Sequence, residues 1–439
     1  MNRFEKYSSY KDSGVEWLGE IPEHWESQKM KYLGKMFAGL TDKKGDDFAK
    51  EISEDKMPFI PFTNVCNNLK IDKNQMQYVK IKPYEKQNKV QKNDIIFLMS
   101  SETLDDIGKC SIHLDEEQFY LNSFCKGFRP KTFAVNAEFL NYLLQSKTYR
   151  NYFALVGRGF TRINIKQEYI NDLFAVLPPK KEQIKIASFL DEKTSQIDEV
   201  ISQKEKLIEL LKERKQIVIN DTVTKGLDKD VEFVDSGVEW IGKIPKHWEI
   251  SKVKNIFKLI IEPAPKANEE ELLSIYTDIG VRPRKELAEK GNKASTTDGY
   301  WRVKKGDFIV NKLLAWMGAI GLSEYEGVTS PAYDILRAKK DIVGIYYHEL
   351  FRLKVFSQEM KKHSRGIMDM RLRLYFDKFG DILIPYPSYD EQLQIVEYIE
   401  NQTTKIDKAI ELQQNYISKL KEYKASLIDS VVTGKVKVS

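Results

Sequence analysis

Two histidines stand where acid–base chemistry is conceivable. His24 and His247 each sit between carboxylates and a tryptophan, in DSGVEWLGEIPEHWE (12–26) and DSGVEWIGKIPKHWE (235–249). A histidine near a carboxylate can move protons. Neither, however, has a Cys or second His at ligand spacing. Glu20 and Glu23 are replaced by Lys243 and Lys246 in the second copy, and charges that reverse cannot be chemistry required in both. Both histidines therefore read as structural, and His113, His348 and His363 are isolated. Asp105-Asp106 suggests a metal site on paper, but an acidic pair in a loop reads as a turn or cap. Gly157-Arg158-Gly159 lacks a third glycine and runs into Phe160, and no GxxxxGK[ST] phosphate loop occurs. No catalytic residue and no metal ligand is assigned.

What remains is basic chemistry interleaved with aromatic and amide groups. YVKIKPYEKQNKVQKND holds Lys80, Lys82, Lys86, Lys89 and Lys92. GRGFTRIN holds Arg158, Arg162 and Asn164, and GVRPRKE holds Arg282, Arg284 and Lys285. YWRVKKGDFIVNKLLAW and KKHSRGIMDMRLR add Asn311, Lys312, Arg365, Arg371 and Arg373. Lys and Arg neutralise phosphates, and Arg, Asn and Gln can read base edges. A lysine-rich stretch is equally a solvated face, so the glycine-flanked arginines carry more weight.

The elements that would position these residues come in two copies. Twelve of the fifteen positions in the repeated histidine-bearing phrase are identical, at an offset of 223 (235 − 12). A second pair, PPKKEQIKIASFLDEKTSQID from Pro178 and PSYDEQLQIVEYIENQTTKID from Pro387, has an offset of 209 (392 − 183, Gln to Gln). Each half thus reads opening segment, variable middle, long helix, which is a tandem repeat. Inside the middles, FTNV (62–65) resembles YTDI (276–279), and VQKNDIIFLMS (90–100) resembles VKKGDFIVNKL (303–313). GRGFTRINIKQEYINDLF resembles SRGIMDMRLRLYFDKFGDIL. Ile95–Leu98 and Phe308–Val310 read as strands behind Asn-Asp and Gly-Asp turns. Residues 137–153 and 346–363 have helical spacing. The fold class is α+β: two mixed recognition-type domains and two long helices, with approximate two-fold symmetry.

From Gln183 to about Thr222 the sequence predicts some 40 helical residues, roughly 60 Å. Apolar steps of three and four run Ile197, Ile201, Lys204, Ile208, Leu211, Lys215, Val218 and, in the second copy, Ile406, Ile410, Gln413, Ile417, Leu420, Lys424, Leu427. That is a coiled-coil seam with polar breaks at matched places. The economical arrangement is an antiparallel pair. The expected domains are 1–177 and 227–385, each an opening segment plus a mixed domain, with helical regions 178–226 and 386–439.

Bulk properties fit this division. A chain of 439 residues exceeds one ordinary core. Apolar residues are 41%, charged residues 31%, and the net charge is +5, which permits a polyanionic partner without demanding one. Cys66, Cys110 and Cys125 show no CxxC spacing and suggest a reducing compartment. No apolar run is long enough to span a bilayer, and the N-terminus has no apolar signal core. A cytoplasmic protein is expected.

The repeated opening segments, the "P…EQ…I" start of each long helix and the duplication resemble the specificity subunit of type I restriction–modification systems. The resemblance covers essentially the whole chain, although the middles match only as a skeleton. It implies a non-catalytic, DNA-reading subunit of a phage-defence complex. Each middle would be a target recognition domain for one half of an asymmetric bipartite duplex sequence. The helices would set half-site spacing and dock two methyltransferase subunits, where S-adenosylmethionine would bind. Translocase–nuclease subunits would join for cleavage. Base-reading candidates on loops after the matched strands are Thr63, Asn64, Ser100, Ser101, Arg158 and Arg162 in the first domain. In the second they are Thr277, Asp278, Arg282, Arg284, Asn311, Lys312, Arg365 and Arg371. A coiled-coil scaffold joining two protein-binding domains shares every helical feature and is the alternative expectation.

Overall fold

A computed structural model describes residues 5–52, 54–131, 133–266, 268–286, 297–366 and 371–438. Contacts divide the chain into two units. The first contains residues up to Lys204 together with those from Asn415 onward; the second is Glu205–Gln414.

In the first unit the opening segment is a hairpin, Tyr10–Asp12 against Glu20–Pro22. The Asp12 carboxylate accepts from the Gly14 N–H at 2.9 Å, and Gly14 takes a φ of +74° that a side chain would resist. The next strand, Glu26–Lys29, pairs antiparallel with Phe174–Leu177, so the two ends of the mixed domain are tied together. Between them lies a four-stranded antiparallel sheet in the order Cys110–Ile112, Ile95–Leu98, Cys125–Pro130, Gly34–Ala38. All four residues of Ile95–Leu98 are buried, because the sheet is covered on both faces. A smaller sheet contains Tyr120–Leu121, Met57–Ile60, Gln77–Val79 and Phe48–Ala49.

The second unit repeats this order. Phe233–Asp235 pairs with Lys243–Pro245, and Glu249–Lys252 pairs with Leu383–Tyr386. Its main sheet runs Ile320–Leu322, Phe308–Asn311, Tyr333–Ala338, Phe257–Ile260, which is the same topology. Its core gathers Val253, Phe257, Phe308, Leu336, Tyr347 and Phe351.

The duplication extends to single bonds. In the first unit Arg129 forks onto Asp94 at 2.9 and 2.7 Å; in the second Arg337 forks onto Asp307 at 2.7 Å twice. Each aspartate also accepts from the backbone N–H three residues earlier, at Gln91 and Lys304. Lys29 and Lys31 share Asp172, and Lys252 and Lys254 share Asp381.

The helical stretches at 137–153 and 346–363 are each broken in two. Ala137–Gln145 and Lys147–Val156 flank Ser146, whose hydroxyl donates to Leu143 O at 2.7 Å while its backbone is extended. Gly344–Phe351 and Lys354–His363 flank Arg352-Leu353. The side-chain period survives a backbone break that it does not encode.

The central helix spans Lys180–Lys225 and the C-terminal helix Tyr389–Val432. Glycine ends both runs: Gly226 and Gly434 have φ of +75° and +76°. Within the first unit Lys424 binds Asp198 at 2.7 and 2.6 Å, and the Lys204 ammonium lies 4.7 Å from the Tyr416 ring centroid. Numbers rise on one helix as they fall on the other, so the segments are antiparallel. Within the second unit Lys215 binds Asp407 at 2.8 and 2.7 Å. Ile197, Ile201, Ile208, Val218, Ile417 and Leu427 are buried. Leu211, Ile406, Ile410, Leu420 and the polar Lys204, Lys215, Gln413 and Lys424 are half-buried. No described helix is long and apolar enough to cross a membrane.

Candidate nucleic-acid interface

The two histidines of the repeated phrase take structural places. His24 Nε2 lies 2.9 Å from one oxygen of Glu182, and Trp25 Nε1 donates to the other at 3.3 Å. Trp25 is fully buried. In the second unit His247 and Trp248 meet Glu391 at 2.6 and 3.0 Å. Burial works against the Glu391 carboxylate, but donors from His247, Trp248 and Ser388 outweigh it and hold its pKa below the usual range. Each opening segment is thereby pinned to the first turn of the helix that follows its own domain. Asp106 is a turn residue, accepting from Thr103 Oγ1 at 2.8 Å and from Lys109 at 2.6 Å. Among the described residues, no group of three or more His, Cys, Asp or Glu is placed to hold a metal ion.

The first unit brings several candidates to one cleft. Ser100-Ser101 forms a short strand paired with Ile163-Asn164. That strand closes a hairpin in which Arg158 and Asn164 exchange backbone hydrogen bonds of 3.1 and 2.8 Å. Ser100, Ser101, Thr103, Phe62, Phe124 and Arg162 line a concavity of about 220 Å³. The Arg162 guanidinium lies 4.9 Å from the Phe124 ring centroid and 3.6 Å from Glu102. Thr63 is exposed on the short helix Phe62–Asn67 beside this cleft. Arg158 is exposed too, but its guanidinium folds back to donate to Gly157 O at 2.9 Å and to Leu155 O.

Asn64 is a correction. It is fully buried, and its amide is spent on the fold: Oδ1 accepts from Asp72 N at 3.1 Å and Nδ2 donates to Asp72 O at 2.8 Å. An amide with both ends used cannot also read a base.

In the second unit Thr277 and Asp278 are exposed at the turn between Leu273–Tyr276 and Gly280–Pro283. Arg282 and Arg284 are half-buried on and just after the second of these strands. Asn311 is a second correction: it is buried, and its side chain accepts from Leu313 N at 3.0 Å to cap a turn. Lys312 is half-buried, pairing with Asp334 at 3.3 Å and donating to Pro331 O at 3.2 Å within the domain. Arg365 and Arg371 are exposed, with Arg365 3.0 Å from Asp377. Residues 367–370 of that loop lie outside the described residues. Two lysines of the 78–94 stretch have acidic partners, Lys80 with Asp55 at 2.7 Å and Lys92 with Glu116 at 2.6 Å, as a solvated face would.

Sequence reasoning passed over Arg352. Its guanidinium donates to four backbone carbonyls, Gly318, Ile320, Thr277 and Asp278, at 2.9–3.3 Å. It fixes the Thr277-Asp278 turn from beneath. His348 packs beside it; burial first, then Arg352 and Arg282, push its pKa down to about 4, so it is neutral and accepts from Leu322 N through Nδ1. Nothing in the helical run YYHELFRLKVF marks Arg352 as a loop anchor.

The chain has similar counterparts among known proteins. Residues 22–210 match the profile of the type I restriction modification DNA specificity domain. That stretch of the chain is therefore similar to a type I DNA specificity domain. A putative type I restriction enzyme MjaX specificity subunit of Methanocaldococcus jannaschii is 25% identical over 99% of this chain and 98% of its own length. The EcoKI specificity subunit of Escherichia coli K12 is 27% identical over 47% of this chain and 44% of its own. Among solved structures, the HsdS subunit from Thermoanaerobacter tengcongensis aligns over 95% of this chain and 98% of its own, with a TM-score of 0.56 at 14% identity. A chain from a structural study of type I R-M complex assembly and conformational transition aligns over 94% and 98%, with a TM-score of 0.69, also at 14% identity. These structural likenesses establish the shared α+β tandem fold.

Proposed function

We propose that this protein is the DNA-sequence-reading subunit of a type I restriction–modification assembly, with residues 1–177 and 227–385 each reading one half of an asymmetric duplex target. The observation that carries the proposal is the contrast between framework and loops. The two units share the Arg–Asp fork, the paired lysines, the His-Trp contact with glutamate and the sheet order. They differ in their loops, at exposed Thr63 and Arg162 and half-buried Ser100 and Ser101 in one, and at exposed Thr277, Asp278, Arg365 and Arg371 and half-buried Arg282 in the other. One scaffold carrying two loop sets suits two unlike half-sites, about one helical turn or roughly 34 Å apart. The helical regions 178–226 and 386–439 would set that separation and dock two methyltransferase subunits. Those subunits would carry S-adenosylmethionine and perform methylation, with translocase–nuclease subunits joining for cleavage.

The test is an exchange of residues 27–177 for the corresponding segment of a relative, followed by sequencing of methylated genomic DNA. One half of the methylated motif should change and the other stay. A change in both halves, or in neither, defeats the modular assignment. Absence of duplex binding at low salt with methyltransferase subunits present would favour the protein-scaffold alternative, since phosphate neutralisation must strengthen as salt falls.

A further inference from the structure

Phe160 is fully exposed. A phenylalanine left in water forgoes a substantial hydrophobic stabilisation, so its exposure asks for an explanation. Loose backbone does not supply one. The hairpin carrying it is closed by the two Arg158–Asn164 backbone bonds, and Asn164 Nδ2 donates to Arg162 O at 3.0 Å. Its strand continues into the pairing of Ile163-Asn164 with Ser100-Ser101. Gly159 has a φ of +149°, and a Cβ there would lie 1.8 Å from Arg162 O. The turn therefore admits only glycine at 159, and the exposed Phe160 follows it at the tip.

The surroundings of the tip indicate its partner. Arg158 and Arg162 bracket the ring in sequence, and both are exposed. The cleft that Arg162 of the same hairpin lines offers the Ser100, Ser101 and Thr103 hydroxyls and the exposed rings of Phe62 and Phe124. Glu102 faces Arg162, and its carboxylate is largely exposed. An apolar projection between cations, next to hydroxyl donors, suits a polyanion with stackable faces better than an apolar protein groove. In the second repeat, Arg365-Gly366 is followed in sequence by Ile367, again an apolar residue after Arg-Gly, and Gly366 has a φ of +158°.

We propose that Phe160 is a wedge that inserts between adjacent base pairs of the half-site read by the first unit, unstacking one step while Arg162 holds the neighbouring phosphate. This rests on the DNA-reading function proposed above. Apolar side chains used this way kink the duplex, and pyrimidine–purine steps yield most readily. Phe160 would then specify sequence through deformability, alongside any reading of base edges.

The test uses the full chain assembled with its methyltransferase subunits, and duplexes carrying the methylated motif. 2-Aminopurine is walked through the half-site assigned by the domain exchange, and end-labelled duplexes report bending. The wild type should brighten 2-aminopurine at one step away from the methylated adenine and shorten the end-to-end distance. Phe160→Ala should lose both signals and about tenfold in affinity, whereas Phe160→Leu should retain most of each. Unchanged signals in Phe160→Ala would overturn the wedge. So would intact DNA signals combined with failed subunit assembly, which would make the ring a protein contact. If the wild-type assembly binds no duplex, the DNA-reading function itself fails, and the wedge with it.

Discussion

The repeated glutamine at the start of each long helix should be worth several times an ordinary surface residue. Gln183 is almost wholly buried. Its Oε1 accepts from Asn136 N at 2.7 Å, and its Nε2 donates to Pro178 O at 2.9 Å. Asn136 is itself the N-cap of Ala137–Gln145, accepting from Phe139 N at 2.8 Å. One side chain therefore joins a domain helix, the end of the domain and the central helix. Gln183→Ala leaves an N–H and a carbonyl buried without partners. At about 1–3 kcal/mol for each orphaned group, the loss is roughly 2–6 kcal/mol, of which side-chain freedom regained offsets about 1–2. Taken at the midpoints, the expected net cost is about 2–3 kcal/mol. Gln183→Glu should do no better, because it keeps the acceptor for Asn136 but turns a buried carboxylate toward a carbonyl oxygen. Gln392 makes the same pair of bonds, to Val343 N and Pro387 O, both at 2.9 Å, so Gln392→Ala should cost a similar amount. Urea unfolding followed by tryptophan fluorescence measures both losses, with Trp17 and Trp25 reporting the first unit. A Gln183→Ala cost below about 0.5 kcal/mol would refute the reasoning, since it would mean the two backbone groups find other partners at no expense.

Two further outcomes are expected. Arg352→Leu removes the four-carbonyl anchor under Thr277-Asp278; methylome sequencing should show relaxed specificity in the second half-site with the first intact, and relaxation in both would contradict a local anchor. Asp381 is held at a pKa of about 2 by Lys254 and Lys252, with burial opposing. A folded-state pKa below the ordinary value of about 3.9 means a contribution fully present above about pH 4 and lost as pH falls toward about 2. Asp381→Asn should accordingly flatten the stability profile across that window, as read by urea titrations at stepped pH.

How much was legible follows from what each pattern encodes. The duplicated phrase exposes the repeat, and the three–four apolar steps point to the long helices, because both are periodicities in residue type. The Asn-Asp and Gly-Asp turns before Ile95–Leu98 and Phe308–Asn311 stand out because turn chemistry is local. Asn64 and Asn311 could not be placed from sequence: an amide that reads a base and one that staples a backbone are the same residue, and only burial tells them apart. The pairing of Lys312 with Asp334 is likewise invisible in the sequence, because the two meet only when their strands are brought together. In the sequence Phe160 merely spoils a glycine motif; its exposure comes from the closure of a hairpin by partners at Ser100 and Ser101.

The division of the chain has a consequence for synthesis. The second unit is one continuous stretch, but the first needs residues from Asn415 onward. Asp429 accepts from Thr148 N at 2.8 Å, Lys437 N donates to Glu5 O at 2.8 Å, and Gly434 packs against Pro22 and Trp25. At about 5–20 residues per second, the ribosome delivers those partners roughly 10–40 seconds after Lys204 is made. The part of the protein that is translated first is thus the last that can finish folding. Until then the buried face of Trp25 is open to the cell, and a chain truncated near its end would spoil the beginning.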